Sequence, residues 1–206
     1  MSRSIYSLVL DDDIVNLIDR AANKSGRSRS AVVNDILARE FKYETAEMRS
    51  RTLLDFMQAR LRQHDDFGVF LQDSTLMLRS VLSYKYNPTV RYSLEIHDDY
   101  CLLRVVVRSK SVHFIETYDM FISIWAEQES RHDRAKLWSY SDGRFTRRLC
   151  RTQGDADICS QAISAYVQAF DGALKRFFCS ENMDVGREAV EEIYSRYIDT
   201  YGNVLI

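Results

Sequence analysis

Between Ser4 and Phe41 the chain holds one short β-prone stretch and two short helical ones, SIYSLVL, DDDIVNLIDRAANKSG and RSRSAVVNDILAREF. Together they are too small to bury their own apolar faces in a single core. In the first stretch Tyr6, Leu8 and Leu10 share one side of a pleat, while Ile5, Ser7 and Val9 share the other. Asp11 sits where an N-cap belongs, and Asp12 and Asp13 follow in the first turn, where carboxylates favour the positive end of a helix dipole. Ile14, Leu17, Ile18, Ala21 and Ala22 then recur at helical spacing, and Gly26 supplies the left-handed stop. Ser28 caps a second helix whose Ala31, Val32, Ile36 and Leu37 face one way. A lone strand leaves its backbone donors and acceptors unpaired, so the expectation is that two copies pair the strand across a twofold axis.

The order of strand, capped helix, and the turn and cap S-G-R-S-R-S-A at residues 25–31 resembles the ribbon-helix-helix family of Arc/MetJ/CopG-type DNA-binding proteins. The resemblance covers residues 3–42. It implies a two-stranded antiparallel ribbon that enters the major groove, an admissible reader there, and a second helix whose amino end holds a backbone phosphate. Carried over by position, it places Ile5, Ser7 and Val9 toward the bases, Arg3 at the flank, and Ser28, Arg29 and Ser30 at the phosphate. The residues alone support that anion site: a helix start has free N–H groups, Ser28 adds a hydroxyl, and Arg27, Arg29 and Lys24 stand beside it. Where the family usually presents Arg, Lys, Thr, Asn or Gln to the bases, this chain has Ile5 and Val9, which offer apolar contact only. Ser7 is left as the hydrogen-bonding reader. A second reading stays open, in which the unit is a dimerisation clasp with a solvated basic rim.

A formal net charge of -2 over 206 residues excludes a surface that is basic throughout, so nucleic-acid binding has to come from local patches. The four cysteines are scattered without a CxxC pair, and no apolar secretory segment precedes the first helix. The expected compartment is therefore a reducing cytoplasm. No stretch approaches the roughly 18 uninterrupted apolar residues of a spanning helix, and no membrane partner is expected. With one proline and seven glycines there is no Pro-, Gly- or Ser-rich linker to mark a boundary.

Beyond Tyr43 the pattern predicts a helix over residues 45–63 and another over 69–84. Hairpins follow at 90–108 and 136–149, with a helix between them, and two helices close the chain, opened by Asp155 or Asp157 and by Asp184. Arg144, Arg147, Arg148 and Arg151, with Arg131, Arg134 and Lys136 upstream, form the densest basic region, most simply a solvated hairpin. The expected fold class is α+β: a ribbon-helix-helix domain at 1–43, then a larger α+β domain at 44–206 for oligomerisation, sensing or partner binding. No phosphate loop, nucleophile elbow or metalloprotease motif occurs, and His64, His97, His113 and His132 are well separated. Neither an enzyme, a cofactor nor a metal is therefore expected. These readings lead to a DNA-binding transcriptional regulator, a repressor, acting on double-stranded DNA as a homodimer or higher oligomer. The alternative is an antitoxin-like or partition-type adaptor whose C-terminal domain holds a protein partner.

Overall fold

A computed structural model describes residues 5–72, 74–97, 99–132, 137–150 and 155–205. Two compact units are present, one ending at Arg49 and one beginning at Ser50. The N-terminal unit carries α1 (Asp12–Ser25), α2 (Arg29–Glu40) and the start of α3 (Ala46–Leu61). Its caps are those the local chemistry dictates. The Asp11 carboxylate accepts from the Asp13 N–H at 2.9 Å, and Gly26, at φ 63°, ends α1 while the Arg27 N–H returns to Ala22 O at 3.0 Å. Ser28 Oγ accepts from the Ala31 N–H at 3.3 Å and opens α2.

The strand expected over residues 4–10 is not formed. Residues 5–10 have no regular secondary structure and all are exposed, and Ser4 lies outside the described residues. The chain is helix-first, with α1, α2 and α3 preceding any strand, so the fold is α+β without a ribbon-helix-helix unit. The physical reason is pairing: a strand exists only in a ladder, and no described strand pairs with this segment.

The C-terminal unit is one six-stranded antiparallel sheet with helices packed on one face. Its strands are β1 (Gly68–Gln72), β2 (Thr75–Val81), β3 (Thr89–Ile96), β4 (Tyr100–Val107), β5 (Trp138–Ser141) and β6 (Arg144–Cys150), in the order β1-β2-β3-β4-β6-β5. The first four form a meander. After β4 the chain crosses in α4 (Val112–His132) and returns as a hairpin that sets β6 beside β4. The closing helices are α5 (Ala156–Phe178) and α6 (Met183–Leu205). A helix over 69–84 is therefore overturned: that segment is the β1–β2 hairpin, with Leu76, Leu78 and Ser80 all buried on one face of β2. The same apolar residues fit period 2 as well as period 3.6, and pairing with β3 decides between them.

Alternation gives the sheet two unlike faces. Tyr92, Leu94, Leu103, Val105, Phe145 and Leu149 point into a core shared with α3, α4, α5 and α6. Phe170 of α5 is its hub, with ring centroids 5.0 Å from Trp125, 5.3 Å from Phe121 and 5.3 Å from Phe145. Two polar threads run through this apolar packing. Tyr92 donates to Asp171 at 2.7 Å, and Asp171 also meets Lys175 at 2.9 Å. Trp125 donates to the Tyr166 hydroxyl at 3.0 Å, Tyr166 donates to Glu129, and Glu129 pairs with Arg147 at 2.9 Å. Burial first, then the neighbouring carboxylate, holds the Tyr92 and Tyr166 hydroxyls protonated far above the usual phenol range. At the helical seam, Gly186 lets α6 approach α5 so closely that a Cβ there would lie 2.8 Å from the Phe177 ring. The opening of α6 differs slightly from expectation: Asn182, not Asp184, caps it, accepting from the N–H groups of Asp184 and Val185 at 3.1 and 3.0 Å.

Candidate nucleic-acid interface

In the N-terminal unit the start of α2 is solvent-facing, and its first turn has helical geometry that leaves N–H groups without partners inside the helix. Ser28 Oγ satisfies Ala31, and the Ser28 and Ser30 hydroxyls lie 3.2 Å apart. Among the described residues the N–H groups of Arg29 and Ser30 have no acceptor. Two donors and two hydroxyls at the positive end of a helix dipole suit an anion such as a phosphate oxygen.

The basic residues beside this turn fall into two classes. Arg27 is nearly buried, its side chain 14% exposed, and its guanidinium bridges Asp35 in α2 and Glu47 in α3, the latter at 2.6 Å. The hydrogen bond to Asp35 holds it charged above even the usual arginine range. This residue fastens α2 to the start of α3, and releasing it to a phosphate would leave two carboxylates unmatched. Arg29 is 69% exposed and pairs with Asp19 of α1. An exposed pair is worth only about 0.2–1 kcal/mol, so a phosphate competes readily for that guanidinium. Lys24, in the last turn of α1, is exposed with no carboxylate within 4.0 Å among the described residues.

Of the remaining residues tied to DNA by the sequence, Arg3 lies outside the described residues. Ile5 and Val9 are fully exposed at 101%, and Ser7 is exposed between them. The structure thus gathers Lys24, Ser28, Arg29 and Ser30 into one place and leaves Ile5, Ser7 and Val9 on an unpaired segment. Arg27 belongs to the scaffold of the turn. The sequence could not show this, because its partners lie eight and twenty residues further on.

The basic region near the C-terminal hairpin also divides. Arg134, Lys136 and Arg151 lie outside the described residues. Arg131 pairs with Glu127 at 2.6 Å on the surface of α4. Arg147 is not a solvated hairpin residue: it is 4% exposed and points into the core against Glu129. Period-two alternation through Phe145, Arg147 and Leu149 carries that signal, and the charge of Arg147 hides it. Arg144 and Arg148 lie on the opposite, open face of the sheet.

Among the described residues no group of three or more His, Cys, Asp or Glu could hold a metal ion, and no helix is long and apolar enough to cross a membrane. No family model, curated protein or solved structure matches the chain.

Proposed function

We propose that the protein is a cytoplasmic DNA-binding transcriptional regulator, a repressor, in which the N-terminal unit joins two copies of the chain and presents the start of α2 to the backbone phosphates of duplex DNA. The observation that carries this reading is an open, hydroxyl-capped helix start on a unit that is incomplete alone. Its core consists of Ile18, Ala22 and Val32, with Val33 packed against them. Ile14, Leu17, Ile36, Leu37 and Phe41 remain exposed on the same two helices and the turn that follows them. Fully burying one such side chain is worth roughly 1.5–3 kcal/mol, so a second copy that covers them supplies what the three-residue core cannot. The resemblance of residues 3–42 to the ribbon-helix-helix family supports the reading through its helical part, the capped helix, the Gly26 turn and the Ser28 cap.

The test pairs sedimentation velocity with fluorescence anisotropy on duplex DNA across a range of salt. The expected result is a dimer whose duplex affinity falls as salt rises. Lys24→Ala with Arg29→Ala should weaken binding to every duplex sequence and flatten the salt slope by about 2. A monomer, or a chain with no salt-dependent affinity for any duplex, defeats the proposal.

A further inference from the structure

The open face of the sheet carries a second feature, independent of the N-terminal unit. In register across four strands, Arg79 of β2 stands opposite Arg91 of β3, Arg91 opposite Val106 of β4, and Val106 opposite Arg144 of β6. The three arginines are exposed and, among the described residues, none has a carboxylate within 4.0 Å. Arg104 and Arg148 lie on the same face, in the next two rows. The described strand residues of this face include one carboxylate, Glu95, and it is already paired with Arg104. Like charges directly opposite in a ladder destabilise it, so the Arg79–Arg91 pair weakens the free sheet and is satisfied only by an anion from outside. In a chain whose net charge is -2, this concentration of guanidinium groups is a local field and not a property of the whole surface.

Between and beside the arginines the floor is apolar and aromatic. Phe70, Met77, Leu102 and Val106 are half-buried there. Arg79 lies over the Phe70 ring at 5.1 Å and Arg148 over the Tyr100 ring at 4.0 Å. Guanidinium planes on aromatic rings, next to apolar side chains, offer stacking surface as well as charge. A duplex hides its base faces and would use the arginines alone, whereas a single strand offers phosphates and unstacked bases together.

We infer that the open face of the C-terminal sheet is a binding surface for single-stranded nucleic acid, with Arg79, Arg91 and Arg144 on the phosphates and the Phe70, Met77, Leu102 and Val106 floor against the bases. This surface goes beyond the N-terminal reading and stands or falls separately from it.

The test uses the full chain and a fluorescein-labelled 20-nucleotide single strand, its duplex, and poly-glutamate of similar charge, read by anisotropy across salt. Wild-type protein is expected to bind the single strand more tightly than poly-glutamate. The triple variant Arg79→Gln, Arg91→Gln, Arg144→Gln should lose tenfold or more of single-strand affinity and about 2 from the salt slope. Its melting temperature should be unchanged or higher, since the opposed arginines are gone. Lys24→Ala with Arg29→Ala should leave single-strand binding intact, which separates failure here from failure of the N-terminal proposal. Should the triple variant not fold, photocrosslinking of wild-type protein to a 4-thiothymidine strand reads the same surface, with crosslinks expected in β2, β3, β4 and β6. Undiminished single-strand binding by the triple variant overturns the inference. So does equal affinity for poly-glutamate, a loss confined to the duplex, or crosslinks restricted to other peptides.

Discussion

The two units solve the burial problem in opposite ways. The C-terminal unit packs Trp125, Phe121, Phe145, Phe170 and Tyr92 into one continuous core beneath its sheet, and even its buried charges find partners. The N-terminal unit buries Ile18, Ala22 and Val32 together and leaves larger side chains, Leu17 and Phe41 among them, in water. The first is stabilised from within. The second is held by helix caps and the Arg27 ion pairs, and its apolar surface is a demand for a partner. An exposed apolar side chain thus has a different meaning in each unit.

The sharpest way to break this comparison is to truncate one large apolar residue in each unit. Phe170→Ala should cost roughly 3–5 kcal/mol, because the cavity would be lined by rings that cannot all collapse into it. Chemical denaturation followed by tryptophan fluorescence reports this directly, since Trp125 and Trp138 both lie in the C-terminal unit. Leu17→Ala should leave that transition within about 0.5 kcal/mol and instead weaken self-association in sedimentation velocity. Equal effects of the two substitutions on the tryptophan transition would erase the distinction between the units.

The buried pair Arg147–Glu129 sharpens the claim that the C-terminal core is closed. Arg147→Met alone should destabilise by roughly 3–5 kcal/mol, by leaving the Glu129 carboxylate buried without its counter-ion, and adding Glu129→Leu should recover much of the loss. A single variant as stable as wild type would mean that water reaches Glu129. The smallest effect belongs to the N-terminal unit. Ser28→Ala should lower its stability by about 1 kcal/mol, read as faster amide exchange in α2 with the C-terminal unit unchanged.

How much of this was legible in the sequence follows from the range of each interaction. Asp11, Gly26, Ser28 and Asp155 act within four residues of themselves, and they bound helices as the local pattern predicts. The hairpins around 97–99 and Ser141-Asp142-Gly143 were equally legible, with Gly143 at φ 71° supplying the turn. Residues 69–84 were not, because their apolar spacing fits two periods and the deciding partner, β3, begins at Thr89. Residues 4–10 failed for the converse reason: β-prone composition makes no strand without a ladder. In the candidate interface the Ser28 cap could be read directly, whereas the burial of Arg27 and Arg147 depends on carboxylates far along the chain. The arginine row on the open sheet face needed the register of four strands at once.

Gly186 sets a limit on how this sequence can drift. A glycine inside a helix ordinarily invites alanine, which lowers the entropy lost on folding. Gly172 in α5 follows that rule, since a Cβ there would meet nothing within 4 Å, but Gly186 reverses it because the Phe177 ring already occupies the space. The seam between α5 and α6 is therefore a one-residue filter on substitution. Related chains that keep this helix spacing are expected to retain glycine there, or to trade it for alanine only together with a smaller side chain at the position of Phe177.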